Sequence, residues 1–396
     1  LQRRTGAPRS AERTVAEMNP ARLPNIGITC YPSQGGSGVV ATELGLHLSR
    51  RGCEVHFISS ELPFRLRNYH ENIIYHPVEM PHYPVFQHSP YTLSLATTMS
   101  EVAQRCSLDI LHVHYAIPHA ASAYLAQQML GAQRLQVVTT LHGTDITLVG
   151  QEPSFFPLTR FLIEKSDAVT AVSQFLKDET RRVFGVGDDI EVIPNFVDAR
   201  VFVPREMNSL KQRFAPHGEH LLIHASNFRP VKNTGAVIDV FESVQRVLPT
   251  RLLLLGDGPE APQIREQVAA RGLADQVEFL GQVDNLEEIL PVADVLLLPS
   301  LHESFGLVAL EGMACGVVPV VTDSGGAATF VQNGINGFLR APHDIEGMAE
   351  AVIMVLQDDE MRAQMVEDGR RDAAADFGAP CVVRQYLDLY DRLLAG

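Results

Sequence analysis

The sequence predicts an α/β protein made of two Rossmann-like, doubly wound parallel-sheet domains that face each other across a cleft. Three observations lead there. A chain of 396 residues is too long for one ordinary core and suits two domains. Short apolar runs alternate with longer helical patterns in two successive series, as in parallel sheets covered by helices on both faces. Runs such as Leu252–Leu255 are apolar at every position, which a strand buried between two helix layers requires.

The first series of strands is expected at Asn25–Thr29, Glu54–Ile58, Ile110–His114, Gln136–Leu141, Ala168–Ala171 and Glu191–Ile193. The second is expected at His220–His224, Arg251–Leu255, Val277–Leu280, Val295–Pro299 and Val318–Thr322. Between them, Asn195–Arg213 reads as a linker, because prolines and polar residues interrupt the pattern. The division predicted is an acceptor-side domain over 25–197 and a donor-side domain over 198–379. Apolar positions from Val382 to Leu394 recur at helical spacing, so the tail at 380–396 is expected to pack back on the first domain. Residues 1–24, rich in Arg and Ala, read as a disordered leader or tag remnant.

Composition narrows the function. A formal charge of −15 disfavours nucleic acid and anionic membranes, and no apolar run approaches the ~20 residues of a membrane span. Five dispersed cysteines without a C-x-x-C pair read as reduced thiols in a cytoplasmic protein. A homo-oligomer is compatible with the sequence, which does not specify one.

Open parallel sheets bind ligands beyond the carboxyl ends of their strands, and the unusual residues lie there. Gly35 and Gly36 follow the first strand and open a helix, so backbone can approach a ligand and free N–H groups can face an anion. Ser226-Asn227-Phe228-Arg229-Pro230-Val231-Lys232 follows the first strand of the second series; Arg229 and Lys232 together can grip a pyrophosphate. Ser300–Leu307 leads into a helix that carries Glu311 eight residues after Glu303. Two such carboxylates can hold adjacent sugar hydroxyls, while the N–H groups near Ser304, Phe305, Gly306 and Leu307 face donor phosphates. His142, beside Gly143 at a strand end, suits contact with a transferred sugar. His112, His114 and His119 read as structural histidines, because no carboxylate has matching ligand spacing.

These residues resemble the GT-B retaining glycosyltransferases of family 4, over the chain from about Asn25 onward. The E-x7-E pattern of Glu303 and Glu311, Arg229 with Lys232, and the early glycine loop carry the resemblance. It implies that Glu311 holds the donor ribose and Glu303 the sugar, while Arg229 and Lys232 neutralise the diphosphate; His142, Arg229, Lys232 and Glu303 become the catalytic set. Gly27–Ser33, Pro63–Leu66, His112–Ala120, Thr139–Thr147 and Ser226–Arg229 resemble the branch of the family that joins N-acetylglucosamine from UDP-N-acetylglucosamine to L-malate in bacillithiol synthesis. By that resemblance Ser37, Arg65, Tyr115, Thr140 and His142 are placed around the malate. The segment Gly325–Thr329 lacks the Pro-Glu pair that often follows the double glycine in the family.

No D-x-D triplet occurs, so neither a metal nor another cofactor is expected. The competing reading is a nicotinamide oxidoreductase, since Gly256-Asp257-Gly258-Pro259-Glu260-Ala261 matches G-x-G-x-x-A after a buried strand. A nucleotide-sugar epimerase, a non-catalytic sugar-nucleotide sensor and a family 4 transferase with another acceptor complete the alternatives.

Overall fold

The structure is a computed structural model that describes residues 22–32, 35–80, 89–131 and 135–395. The leader expected at 1–24 lies outside the described residues up to position 21, as does Ser33.

Seven parallel strands form the first sheet: β1 (Asn25–Thr29), β2 (Glu54–Ser59), β3 (Ile73–Pro77), β4 (Ile110–His114), β5 (Gln136–Leu141), β6 (Ala168–Ala171) and β7 (Glu191–Val192), in the order β3-β2-β1-β4-β5-β6-β7. The second contains β8 (His220–Ala225), β9 (Thr250–Leu255), β10 (Val277–Gly281), β11 (Val295–Leu298), β12 (Val318–Thr322) and β13 (Phe338–Arg340), in the order β10-β9-β8-β11-β12-β13. Strand order reverses between β1 and β4 and again between β8 and β11. Such reversals leave a crevice at the strand ends, because successive crossovers leave toward opposite sides.

Two strands were not foreseen, β3 and β13. Both are edge strands with one neighbour, and β3 is mostly half-buried, so neither needs the doubly apolar run that marks an interior strand. The linker also differs from expectation. Its last part is the helix Asn208–Phe214, and Val197 and Phe202 are core residues. Val197 pairs with Gly378: its N–H donates to the Phe377 carbonyl at 2.9 Å and its carbonyl accepts from Ala379 N at 3.0 Å. The two segments that connect the sheets therefore run side by side.

The helix Ala379–Ala395 then lies on the first sheet, where Val382, Val383, Tyr386 and Tyr390 share a core with Ile26, Ile28, Leu44 and Phe57. A second apolar cluster spans both sheets, from Leu141 and Ala171 to Ile223, Leu298 and Phe305. Among the described residues no helix is long and apolar enough to cross a membrane.

Candidate active site

On the second sheet, the loops after β8 and β11 are tied together: Leu301 N donates to the Val231 carbonyl at 2.8 Å and Asn233 Nδ2 to that of Pro299 at 3.2 Å. This brings Lys232 to Glu303, with Nζ donating to Oε2 at 2.6 Å; Ser300 Oγ donates to the same oxygen at 3.1 Å. The double glycine explains the loop's position. A Cβ on Gly325 would lie 2.2 Å from the Glu303 carbonyl oxygen, and one on Gly326 would lie 2.0 Å from that of Ser304. Only bare backbone fits there, so Gly325 and Gly326 brace the Glu303 loop although no Pro-Glu pair follows.

Asn227 and Arg229 are exposed at the end of β8, and Arg229 has no ion-pair partner among the described residues. Gly256 and Gly258, which suggested a nicotinamide site, serve this loop instead. Side chains there would meet the Ser226 and Asn227 carbonyl oxygens at 1.8 and 1.9 Å. Their bareness lets the β9 turn pack under Ser226–Phe228 rather than cradle a pyrophosphate.

Gly306, at φ +90°, turns the chain into the helix Leu307–Ala314, while the Phe305 ring anchors the loop between Phe330 and Phe377. Glu311 lies on that helix, facing a narrow crevice between the domains with Glu43, Arg65 and Phe202. Burial pushes its carboxyl up to about 8, against the opposing pull of Arg65. Arg65 itself donates to Glu43 Oε1 at 2.6 Å. Arg65, expected at the acceptor, lines this crevice with its guanidinium paired to Glu43 and close to Glu311.

On the first sheet, Gly35 and Gly36 begin the helix Gly36–Ser49, and Ser37 and Thr144 lie beside the Tyr115 hydroxyl. Tyr115 has φ +91°, a conformation costly for a residue with a side chain, and its ring packs on Tyr31 and His142. Thr140, also expected at the acceptor, is instead fully buried, and its Oγ1 lies 2.7 Å from both His112 Nε2 and Thr170 Oγ1, an internal network that also takes in Tyr386. It supports the histidines from beneath rather than facing the cleft.

His142, His114 and His112 stack in sequence, with centroids 5.1 and 4.6 Å apart. His142 Nε2 lies 2.8 Å from His114 Nδ1, and His112 Nδ1 lies 2.7 Å from Tyr390 Oη. Burial lowers His142 and His112 to about 3 and His119 to about 4, so the stack is neutral at physiological pH. His112 is satisfied at both nitrogens, whereas among the described residues His114 and His119 each keep an Nε2 without a partner. His142 is thus a neutral imidazole held at Nε2 by His114.

Three contributors escaped the sequence reading. Asp145 accepts from the backbone N–H groups of Ala116 (3.0 Å), His142 (3.2 Å) and Gly143 (2.9 Å), and so fixes the turn that carries His142. Its carboxylate reaches back to residues two and three before it and across to Ala116, a pattern that carries no turn signal in the sequence. Ser173 caps the helix Gln174–Phe184 and donates across the cleft to the Ser304 carbonyl at 2.6 Å. Glu43, the partner of Arg65, carries no sequence signal.

Gly143 completes the contact between domains. At φ +114°, a Cβ there would lie 1.7 Å from Ser304 Oγ. The described cleft is thus closed on Ser304, with the strand ends of the two sheets facing each other.

Known proteins share this arrangement. Residues 34–201 match the family described as Glycosyltransferase Family 4, and residues 207–372 the family described as Glycosyl transferases group 1. N-acetyl-alpha-D-glucosaminyl L-malate synthase of Bacillus anthracis is 49% identical over 366 residues, covering 92% of this chain and 96% of that protein. D-inositol 3-phosphate glycosyltransferase of Stackebrandtia nassauensis is 30% identical, covering 68% and 65%. Among solved structures, sucrose-phosphate synthase from Thermosynechococcus elongatus superposes with TM-score 0.78 at 21% identity, covering 94% of this chain and 99% of that one. Anabaena HepE in complex with UDP and glucose gives 0.79 at 20% identity, covering 93% and 99%. Sequence relationship and the two facing parallel sheets agree: the chain belongs to the family 4 glycosyltransferases and has their GT-B fold.

Proposed function

We propose that this chain transfers N-acetylglucosamine from UDP-N-acetylglucosamine to the hydroxyl of L-malate, with retention at the anomeric carbon and without a metal ion. The observation that carries this reading is the 49% identity to the Bacillus anthracis synthase across 96% of that protein. The donor side is residues 198–379, and the acceptor side is 25–197 with the returning helix 380–396. Free cysteines at all five positions suit a cytoplasmic location.

In this reading the Lys232–Glu303 pair opens when donor binds. Lys232 Nζ turns with Arg229 to the diphosphate, and Glu303 turns to a sugar hydroxyl. Glu311 holds the ribose. The backbone at Asn227 and from Ser304 to Leu307, with Gly35 and Gly36 opposite, lines the phosphates. Malate lies between Ser37, Tyr115 and His142, with a carboxylate toward the N–H groups of the helix beginning at Gly36. Its hydroxyl oxygen attacks C1 on the face from which UDP departs. The C1–O bond breaks, and the hydroxyl proton passes to a β-phosphate oxygen of the leaving UDP. Arg229 and Lys232 offset the negative charge that develops there, an electrostatic role that needs no proton transfer from the protein.

The test is UDP release from UDP-N-acetylglucosamine, with and without L-malate, in the presence of chelator, followed by NMR of the product anomer. Malate-dependent release surviving chelation, with an α-linked product, is expected. Release without malate points to a hydrolase or epimerase, a β-linked product removes the front-face mechanism, and loss with chelator removes metal independence.

A further inference from the structure

At the outer edge of the first sheet, on β2, β3 and the helix Tyr91–Cys106, one donor atom each of His56, His76 and Cys106 lies within 4.8 Å of the others. Both histidines point to the face covered by that helix, where alternate residues of β2 such as Ile58 meet Leu95, Met99 and Val102. None of the three belongs to the cleft, and the proposed transfer reaction uses none of them.

The hydrogen bonds around them define the proton positions. Arg105 Nη2 lies 3.3 Å from His76 Nδ1, and a guanidinium can only donate, so the His76 proton is on Nε2. That nitrogen lies 2.9 Å from His56 Nδ1, which must accept; the His56 proton is then on Nε2, 2.9 Å from Glu54 Oε1. His56 thus presents a bare Nδ1 toward His76 and Cys106 while a carboxylate holds its opposite nitrogen. A carboxylate behind a ligating imidazole is the arrangement that orients histidines at metal centres. Beyond His76 an open crevice of about 380 Å³, lined by Glu79, Glu101 and Arg105 among others, leaves one side of the triad accessible.

We propose that His56 Nδ1, His76 Nε2 and Cys106 Sγ form a three-ligand site for a borderline-soft divalent cation of the zinc class, with its fourth position open to this crevice. Two imidazoles and a thiolate are the donor set such ions favour, and three protein ligands with one open position is a recognised zinc arrangement. Coordination requires movement: a tetrahedral site sets the sulfur about 3.6 Å from each nitrogen, while the donor atoms now lie within 4.8 Å of one another, so the Cys106 thiol closes in. Bonds of roughly 2.0–2.1 Å to each nitrogen in a tetrahedron set the nitrogens about 3.3 Å apart, so the rings separate by a few tenths of an ångström. His76 moves its proton from Nε2 to Nδ1, the exposed Arg105 gives way, and Cys106 loses its thiol proton. One proton is released per ion bound, and no redox change occurs.

Cobalt(II) titration of the metal-free full chain, followed by zinc displacement, tests this without reference to transferase activity. One cobalt per chain is expected, with a near-ultraviolet thiolate-to-cobalt band that zinc abolishes. Cys106→Ser loses the band and Cys381→Ser, which alters the exposed thiol, keeps it. Glu54→Gln weakens binding about tenfold or more through His56. Arg105→Gln strengthens it, because glutamine can accept from His76 Nδ1–H where arginine cannot; this variant guards against a Cys106→Ser protein that fails to fold. Absence of the band in the wild type, its persistence in Cys106→Ser, its loss in Cys381→Ser, or weaker binding in Arg105→Gln would each overturn the site.

Discussion

Gly143→Ala separates the stability of the Gly143 turn from closure of the cleft. The new methyl lies 1.7 Å from Ser304 Oγ and 2.7 Å from its Cβ. Rotating the hydroxyl relieves the first overlap but not the second, so Ser304 must withdraw by roughly 1 Å to reach ordinary carbon contact near 3.5–4.0 Å. Withdrawal stretches the 2.6 Å bond from Ser173 to the Ser304 carbonyl, worth roughly 0.5–1.5 kcal/mol, and loosens the packing around it. Alanine at φ +114° adds backbone strain of about 1–3 kcal/mol, but that strain is present whether the cleft is open or closed. Strain therefore appears as a lower Tm, and the clash as a lower kcat/KM by about tenfold, since ~1.4 kcal/mol is one decade. Adding Ser304→Gly removes both overlapping atoms. The double variant should regain the activity lost to the clash while keeping the lowered Tm. A four-protein cycle in kcat/KM, with UDP release as the readout, should give a coupling of about 1 kcal/mol or more. Coupling near zero, or full activity in Gly143→Ala alone, would refute the argument that catalysis requires this contact.

Other expectations follow from the same geometry. Lys232→Met should lower kcat by about 10²–10³, as removal of one preorganised charge does elsewhere, measured by steady-state UDP release. Glu311→Gln should be more stable than wild type at high pH. The carboxyl is raised from 4.5 to about 8, so its contribution is fully present below about 4.5 and is lost as pH rises through about 8. Calorimetric Tm values should diverge across that window and run parallel above it. Asp145→Asn should cost about 1–3 kcal/mol in denaturant unfolding, because the amide NH₂ faces at least one of the backbone N–H groups that the carboxylate accepts. Arg65→Met should raise KM for the UDP-sugar about tenfold (~1.4 kcal/mol) and leave KM for the acceptor unchanged, since Arg65 faces Glu311. The reverse split would return Arg65 to the acceptor.

Much of this fold is legible because interior parallel strands must be apolar on both faces. Leu252–Leu255 and Val295–Leu298 are such runs and lie in the strands expected of them. Edge strands escape the rule, as β3 and β13 show. The loops after β8 and β11 stand out for a related reason: Arg229, Lys232, Glu303 and Glu311 are charges placed after apolar strands or within an apolar helix, where burial without a partner is expensive. Residues that act through another residue leave no comparable mark. The family resemblance places Thr140 at the acceptor, but its hydroxyl is engaged from within by His112 of β4 and Thr170 of β6. Ser173, Glu43 and Gly143 acquire their significance only from what the opposite domain or a neighbouring helix brings to them.

The bond between His112 and Tyr390 joins residues 278 positions apart. During synthesis, β1 and β4 emerge long before Tyr386 and Tyr390, and the whole second sheet is made in between. Until then the groove that the helix Ala379–Ala395 fills exposes Ile26, Ile28 and Leu44, and leaves the His112 Nδ1 without its phenol. The first domain therefore stays unfinished while the second is being made, and the late segment acts as its closing stave. Circular permutation that places this helix ahead of β1 would shorten that wait and bring its contacts with Ile26, Ile28 and Leu44 close in sequence.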